Sequence, residues 1–232
     1  MPADFLVLEK KINVSFQNKD LLKQAFVHRS YLNENKDFPI GHNERLEFLG
    51  DAVLELVITD SLYSKYPEKT EGELTSLRSA LVNANTLYVV GVNLGINEFL
   101  FLSKGEAKDM GRARQYILAN TMESLIGAIY LDQGYEKAKD FIHDHISPLI
   151  DKIMEDGSWI DSKSLFQEKA QEHEGATPMY KTLKETGPDH DKHFTVGVYL
   201  KNVLVAQGEG DSKQDAEQVA AQNGLLARGW EN

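Results

Sequence analysis

Cysteine is missing from all 232 residues, which rules out disulfides and thiolate metal sites. Any metal must therefore sit among oxygens or imidazoles, and the lack of cysteine fits a cytoplasmic protein. No run of about 18 apolar residues occurs, so no segment is expected to span a bilayer. The first 16 residues lack the basic start and apolar stretch of a secretory signal and read as an amphipathic helix. Basic residues are also short: 25 Lys and Arg stand against 36 Asp and Glu, a net charge of −11. That balance argues against a nucleic-acid partner, because neutralising phosphate takes Lys and Arg. It equally suits carboxylates clustered to hold a metal ion, and only individual residues separate the two readings.

Strand-like alternation is scarce in the first two thirds of the chain, where apolar residues recur at three and four. Helices are expected over residues 5–11, 19–28, 44–65, 72–92, 112–131 and 135–154. Breaks fall at Asn33-Glu34-Asn35, Pro39, Gly41, Pro67, Gly95 and Gly134. No internal repeat or low-complexity tract is present. The pattern changes near Glu155-Asp156-Gly157-Ser158. A helix over 162–174 is followed by β-prone runs at 179–185, 194–200 and 203–208, the last two separated by Lys201-Asn202 as in a hairpin. An Ala-rich helix over 212–227 closes the chain. The expected fold is an all-α N-terminal domain over residues 1–156, a linker at 157–160 and an α+β domain of order α-β-β-β-α over 161–230.

The stretch NERLEFLGDAVL at 43–54 carries the most chemistry. Asn43 suits an N-cap. At about 100° per residue, Glu44, Glu47 and Asp51 share an arc of about 60°, with Leu46, Leu49, Val53 and Leu56 expected on the other side. Three stacked carboxylates repel unless solvent or a cation relieves them. Gly50, inside the helix, costs about 1 kcal/mol relative to Ala, which points to a close approach there. On another helix, Asn120 and Glu123 interrupt an apolar run of Ile117, Leu118, Leu125, Ile126 and Ile129. Buried polar groups need partners. Packed together, two such helices would offer oxygens to Mg²⁺. The plainer alternative is a solvated acidic face on an interaction protein.

NERLEFLGDAVL resembles the hallmark of the ribonuclease III family, and the likeness extends along the chain in the family's order. QAFVHRSY at 24–31, EGELTSLR at 71–78, KGE at 104–106 and NTMESLIGAIYLD at 120–132 also match it. The resemblance implies a Mg²⁺-dependent endonuclease of double-stranded RNA (Mn²⁺ being possible) that leaves 5′-phosphate and 3′-hydroxyl ends with short 3′ overhangs. It implies that Glu47 and Glu123 bind the metal with Asn120 as a further ligand. Asp51 would be the essential acid near the attacking water, and Glu44 would assist. Phe48 would lie at the interface of a two-fold homodimer, inserting into the partner subunit. Processing of ribosomal and other structured RNA precursors is the implied role. Asn120 stands where the family usually has Asp; it offers a carbonyl oxygen but no charge. The alternative is a silenced double-stranded-RNA-binding protein of the same fold.

The C-terminal pieces KSLFQE at 163–168, GPDHDKHF at 187–194 and GEGDSKQDAE at 208–217 resemble a double-stranded-RNA-binding domain. Such domains read the A-form duplex by shape across two minor grooves. The resemblance implies that Ser164, Gln167 and Glu168 meet 2′-hydroxyls and that the loop bearing His190 enters the next groove. Lys213 would meet phosphate. From residue 160 onward the chain has 8 Lys and Arg against 12 Asp and Glu, so weak binding is expected. His190 and His193 add charge only when protonated, which would tighten binding between about pH 8 and about pH 6.

Overall fold

The computed structural model describes residues 4–109, 111–157, 159, 161–188 and 192–230. They form two compact units, Met1–Trp159 and Ile160–Asn232. The first is helical: α1 Phe5–Lys11, α2 Lys19–Ala25, α3 Arg29–Glu34, α4 Glu44–Lys65, α5 Glu71–Val82, α6 Ala84–Asn93, α7 Arg112–Gln133, α8 Tyr135–His145 and α9 Leu149–Asp156. Two short 3₁₀ turns, Ile96–Phe99 and Glu106–Lys108, lie between α6 and α7.

The centre of this unit is α7, whose Leu118, Ala119, Met122, Leu125, Ile126, Ala128 and Ile129 are all buried. A helix apolar on most of its circumference must be enclosed by others. Its two buried hydroxyls are satisfied within the helix: Thr121 donates to the Ile117 carbonyl at 2.7 Å and Ser124 to that of Asn120 at 2.8 Å. At its far end Asp132 accepts the backbone amides of Gln17 and Asn18, each at 2.8 Å, and so fixes the start of α2.

Two expected helices divide in the structure and a third is shortened. The 72–92 run breaks at Asn83, which takes an extended conformation, caps α6 through Thr86 N at 2.9 Å and donates back to the Ala80 carbonyl at 3.0 Å. An Asn side chain competes with the backbone for such bonds and ends the helix. The 135–154 run breaks around Ser147, where Pro148 opens α9. The 19–28 run stops at Ala25, because the next residues pair with a distant extended segment. His28 N donates to the Phe101 carbonyl at 3.1 Å, and Phe101 N to that of Phe26 at 2.9 Å. A short helix, α3, then follows that periodicity did not reveal.

The second unit packs α10 (Ser162–Glu174) and α11 (Lys213–Arg228) on a three-stranded antiparallel sheet of order β1-β2-β3: Met179–Thr186, His193–Leu200 and Val203–Gly210. Lys201 and Asn202 both have positive φ, the geometry that a two-residue hairpin requires. Phe166, Ala170, Val198, Leu200, Ala220, Ala221 and Leu225 form its core. The expected α-β-β-β-α order is the observed one.

Candidate active site and RNA-binding face

Gly50 and Gly127 set the geometry of the acidic site. A Cβ on Gly50 would fall 1.8 Å from the Glu123 backbone oxygen, and one on Gly127 would fall 2.3 Å from that of Leu46. The two glycines let the backbones of α4 and α7 touch, which is the close approach expected at Gly50. Because carboxylates one turn away on each helix ride on this crossing, Glu47 and Asp51 of α4 are brought to Glu123 and Asn120 of α7.

The buried stripe of α4 is Leu46, Gly50, Val53, Leu54, Val57, Ile58 and Leu62. Leu56, expected on the core side, is 57% exposed, and Leu49 is only half-buried. The stripe is turned towards α7, so the acids border the core instead of opposing it. Glu47 and Glu123 are consequently half-buried, while Glu44 and Asp51 remain exposed. Asn43 does not cap α4 with its side chain. It is buried, its backbone is already helical (φ −86°, ψ −10°) instead of extended, and its amide donates to the Ala25 carbonyl at 3.1 Å, tying α4 to the end of α2.

Burial pushes the Glu123 carboxyl up to about 8, and the neighbouring Asp51 and Glu47 carboxylates add to the effect. Burial likewise raises Glu47, with Glu44 and Asp51 adding to it and a hydrogen bond from the Asn120 side chain opposing it. No cation or hydrogen-bond donor among the described residues meets the Glu123 carboxylate. The donor set fits a hard divalent cation in its chemistry: anionic oxygens, half-buried and uncompensated. It is not a ready-made cage, since no three His, Asp or Glu side chains among the described residues converge tightly enough for that.

Two neighbours of this cluster were not evident from spacing. Arg29 Nη1 lies 3.3 Å from Glu44 Oε1, and His42 Nδ1 lies 3.7 Å from the other oxygen. Arg29 begins α3, whose Ser30 hydroxyl accepts Ser103 N at 3.1 Å and bonds His28 Nδ1 at 2.7 Å. A fifteen-residue separation across a loop has no periodic signature. Phe48 projects from α4 at 82% exposure, with Tyr63 at 74% and Leu56 on the same side of the helix.

On the second unit Ser164, Gln167 and Glu168 share one exposed face of α10. With Gln171, Glu172 and Thr177 they line a hollow of about 520 Å³. The Ser164 hydroxyl already donates to Asp161 at 2.6 Å. Lys213 opens α11 behind the Ser212 cap, its Nζ 5.6 Å from the centre of the Phe194 ring. His190 lies outside the described residues. His193, the other histidine expected to supply charge, has its Nδ1 2.8 Å from the Asp211 carboxylate of the same unit.

Residues 18–150 match the family model described as ribonuclease-III-like, and 162–227 match the double-stranded RNA binding motif. The chain belongs to the ribonuclease III family. A relative named Ribonuclease 3 from Natranaerobius thermophilus is 46% identical over 219 residues, covering 94% of each chain. One from Pelotomaculum thermopropionicum is 43% identical over 220 residues, covering 95% of this chain and 91% of that protein. The nuclease domain of the Campylobacter jejuni ribonuclease III superposes with a TM-score of 0.57 at 36% identity. It covers 62% of this chain and 97% of that one, and its description refers to a region involved in dimer formation. As a ribonuclease III, the chain is an endoribonuclease of double-stranded RNA, with its acids in the helical unit and its binding motif in the α+β unit.

Proposed function

We propose that this ribonuclease III hydrolyses double-stranded RNA with Mg²⁺ (Mn²⁺ serving in its place), leaving 5′-phosphate and 3′-hydroxyl ends. The observation that carries the proposal is Glu123: a half-buried carboxyl beside Asp51 and Glu47 with no protein cation to offset it. Glu47 and Glu123 are the residues to hold the metal, with the Asn120 carbonyl oxygen as a third donor. A bound divalent ion supplies Lewis-acid polarisation of the phosphate and a lowered pKa for water. Asp51, exposed at the edge of the cluster, orients the attacking water and takes up its proton. Glu44, paired with Arg29 at the rim of the site, assists the cluster.

The silenced reading has one observation in its favour: the Asn120 amide is a donor to Glu47 and adds no charge to the site. Cleavage of an end-labelled duplex with Mg²⁺, comparing the chain with Asn120→Asp, separates the two. Cutting by the unaltered chain supports an active nuclease that tolerates Asn. Cutting by the Asp variant alone would make this chain a binding protein.

The functional unit is proposed to be a cytoplasmic homodimer processing ribosomal and other structured RNA precursors. Exposed Phe48, Leu56 and Tyr63 on α4 support the dimer, because large apolar groups clustered in water mark an interaction surface. Phe48→Ala should shift sedimentation towards monomer without unfolding the subunit, and an unshifted dimer removes Phe48 as its anchor. Ser164, Gln167, Glu168, Lys213 and the loop of His190 form the proposed RNA-binding face.

A further inference from the structure

The carboxylates of the cutting site repel the phosphates that approach them; Arg29 offsets only Glu44, and an RNA strand running along α7 gains from a further cation on that helix. Arg112, Tyr116, Asn120 and Glu123 are spaced four, four and three residues apart on α7, which stacks them within an arc of about 80°. Arg112 is exposed and lies about 12 Å along the axis from Asn120. Tyr116, between them, is 49% exposed. The Arg112 guanidinium sits 6.0 Å from the centre of the Tyr116 ring, and no carboxylate among the described residues pairs with it. Its neighbour Arg114 is different: it is buried and spent on acceptors of Asn97, Glu106 and Asp109.

We propose that Arg112, braced on Tyr116, is a phosphate-binding point that extends the RNA interface along α7 from the cutting residues. Cation–π attraction to the ring 6.0 Å away biases the guanidinium towards Tyr116 while leaving its donors open, the form suited to a phosphate oxygen pair. Tyr116 acts through Arg112 as a positioning residue. The occupant is the backbone of a duplex whose scissile phosphate lies at Glu123, so the inference rests on the nuclease reading above.

The test is the dissociation constant of the full chain for a duplex RNA, measured in Ca²⁺ across a potassium chloride series. Arg112→Ala should weaken binding roughly 3–10-fold and reduce the salt slope by about one, the signature of one lost phosphate contact. Arg112→Lys should keep the slope. Tyr116→Phe should match the unaltered chain, and Tyr116→Ala should fall between it and Arg112→Ala. Lys10→Ala, which removes an exposed charge on α1, is the control. An Arg112→Ala protein with unchanged affinity and slope, or with a loss no larger than that of Lys10→Ala, overturns the proposal. An unaltered chain that does not prefer duplex over single-stranded RNA overturns the nuclease reading with it.

Discussion

On the α4–α7 face Glu123 lies beside Asp51 and Glu47 with no cation to meet it. On the RNA-binding unit, by contrast, Lys163, Lys169, Lys192 and Arg228 each rest against a carboxylate of the same unit. The first region leaves a half-buried carboxylate without a counter-charge, and the second, net acidic, spends four of its eight Lys and Arg on its own carboxylates. An uncompensated, half-buried carboxylate costs stability and persists where a ligand supplies the missing charge. A net-acidic surface with few free cations pulls weakly on phosphate, and a domain of this kind recognises a duplex through shape and 2′-hydroxyl contacts. On the function proposed above, the chemistry falls to the uncompensated acids of α4 and α7, and groove recognition falls to the second unit.

The largest effect that could break this contrast is the loss of the uncompensated charge. Glu123→Gln should lower Mg²⁺-dependent cutting by on the order of 10³-fold or more, as expected when one member of a catalytic set is removed. Duplex binding should remain within about twofold, since recognition lies elsewhere. Cleavage at the unaltered rate would remove Glu123 from the site.

The same carboxyl makes a prediction about stability in metal-free buffer. Its folded value of about 8 stands above the ordinary 4.5, so the folded state favours the protonated form. Its contribution is complete below about pH 4.5 and is lost as pH rises through 8. Urea unfolding should therefore show Glu123→Gln more stable than the unaltered chain at pH 8.5, by about 2–4 kcal/mol, with the gap closing towards pH 5. A pH-independent gap would mean that the carboxyl is not strained by its neighbours.

Gly50→Ala tests the helix crossing that concentrates the acids. The added Cβ meets backbone, which cannot swing aside, so a loss of about 1–3 kcal/mol is expected. Gly72→Ala meets nothing within 4 Å and should instead stabilise by about 0.4–1 kcal/mol. Equal effects in denaturant melts would show that helix propensity, not contact, governs Gly50.

Much of this was readable before any coordinates. Gly50 announced a close approach because glycine inside a helix has a cost that something must offset, and the approach proved to be α7. The alternation at 194–208 and the Lys201-Asn202 turn gave the sheet because hairpin chemistry is local. What escaped was decided by competition or by distance. Asn83 ended a helix that periodicity would have continued, since periodicity does not weigh one side chain's hydrogen bonds against the next turn. The core face of α4 came out rotated because Leu49 and Leu56 are apolar whichever way they point, and only packing on α7 and exposure beside Phe48 distinguish them. Arg29 reached Glu44 through a loop whose course is set by the pairing of Val27 with Phe101, a tertiary contact with no sequence period.

The smallest effect belongs to the second unit. Lys213 is exposed, and no carboxylate among the described residues pairs with it; the Phe194 ring beneath leaves its ammonium outward. Lys213→Ala should weaken duplex binding only about 2–5-fold and lower the salt slope by about one. His193 should contribute less still, because its Nδ1 faces Asp211 at 2.8 Å within its own unit. If binding tightens between about pH 8 and about pH 6, the gain should survive His193→Ala and disappear in His190→Ala. Loss of the pH effect in the His193 variant would show that the RNA displaces Asp211, and that this surface is less settled in its internal pairing than the contrast with α4 and α7 implies.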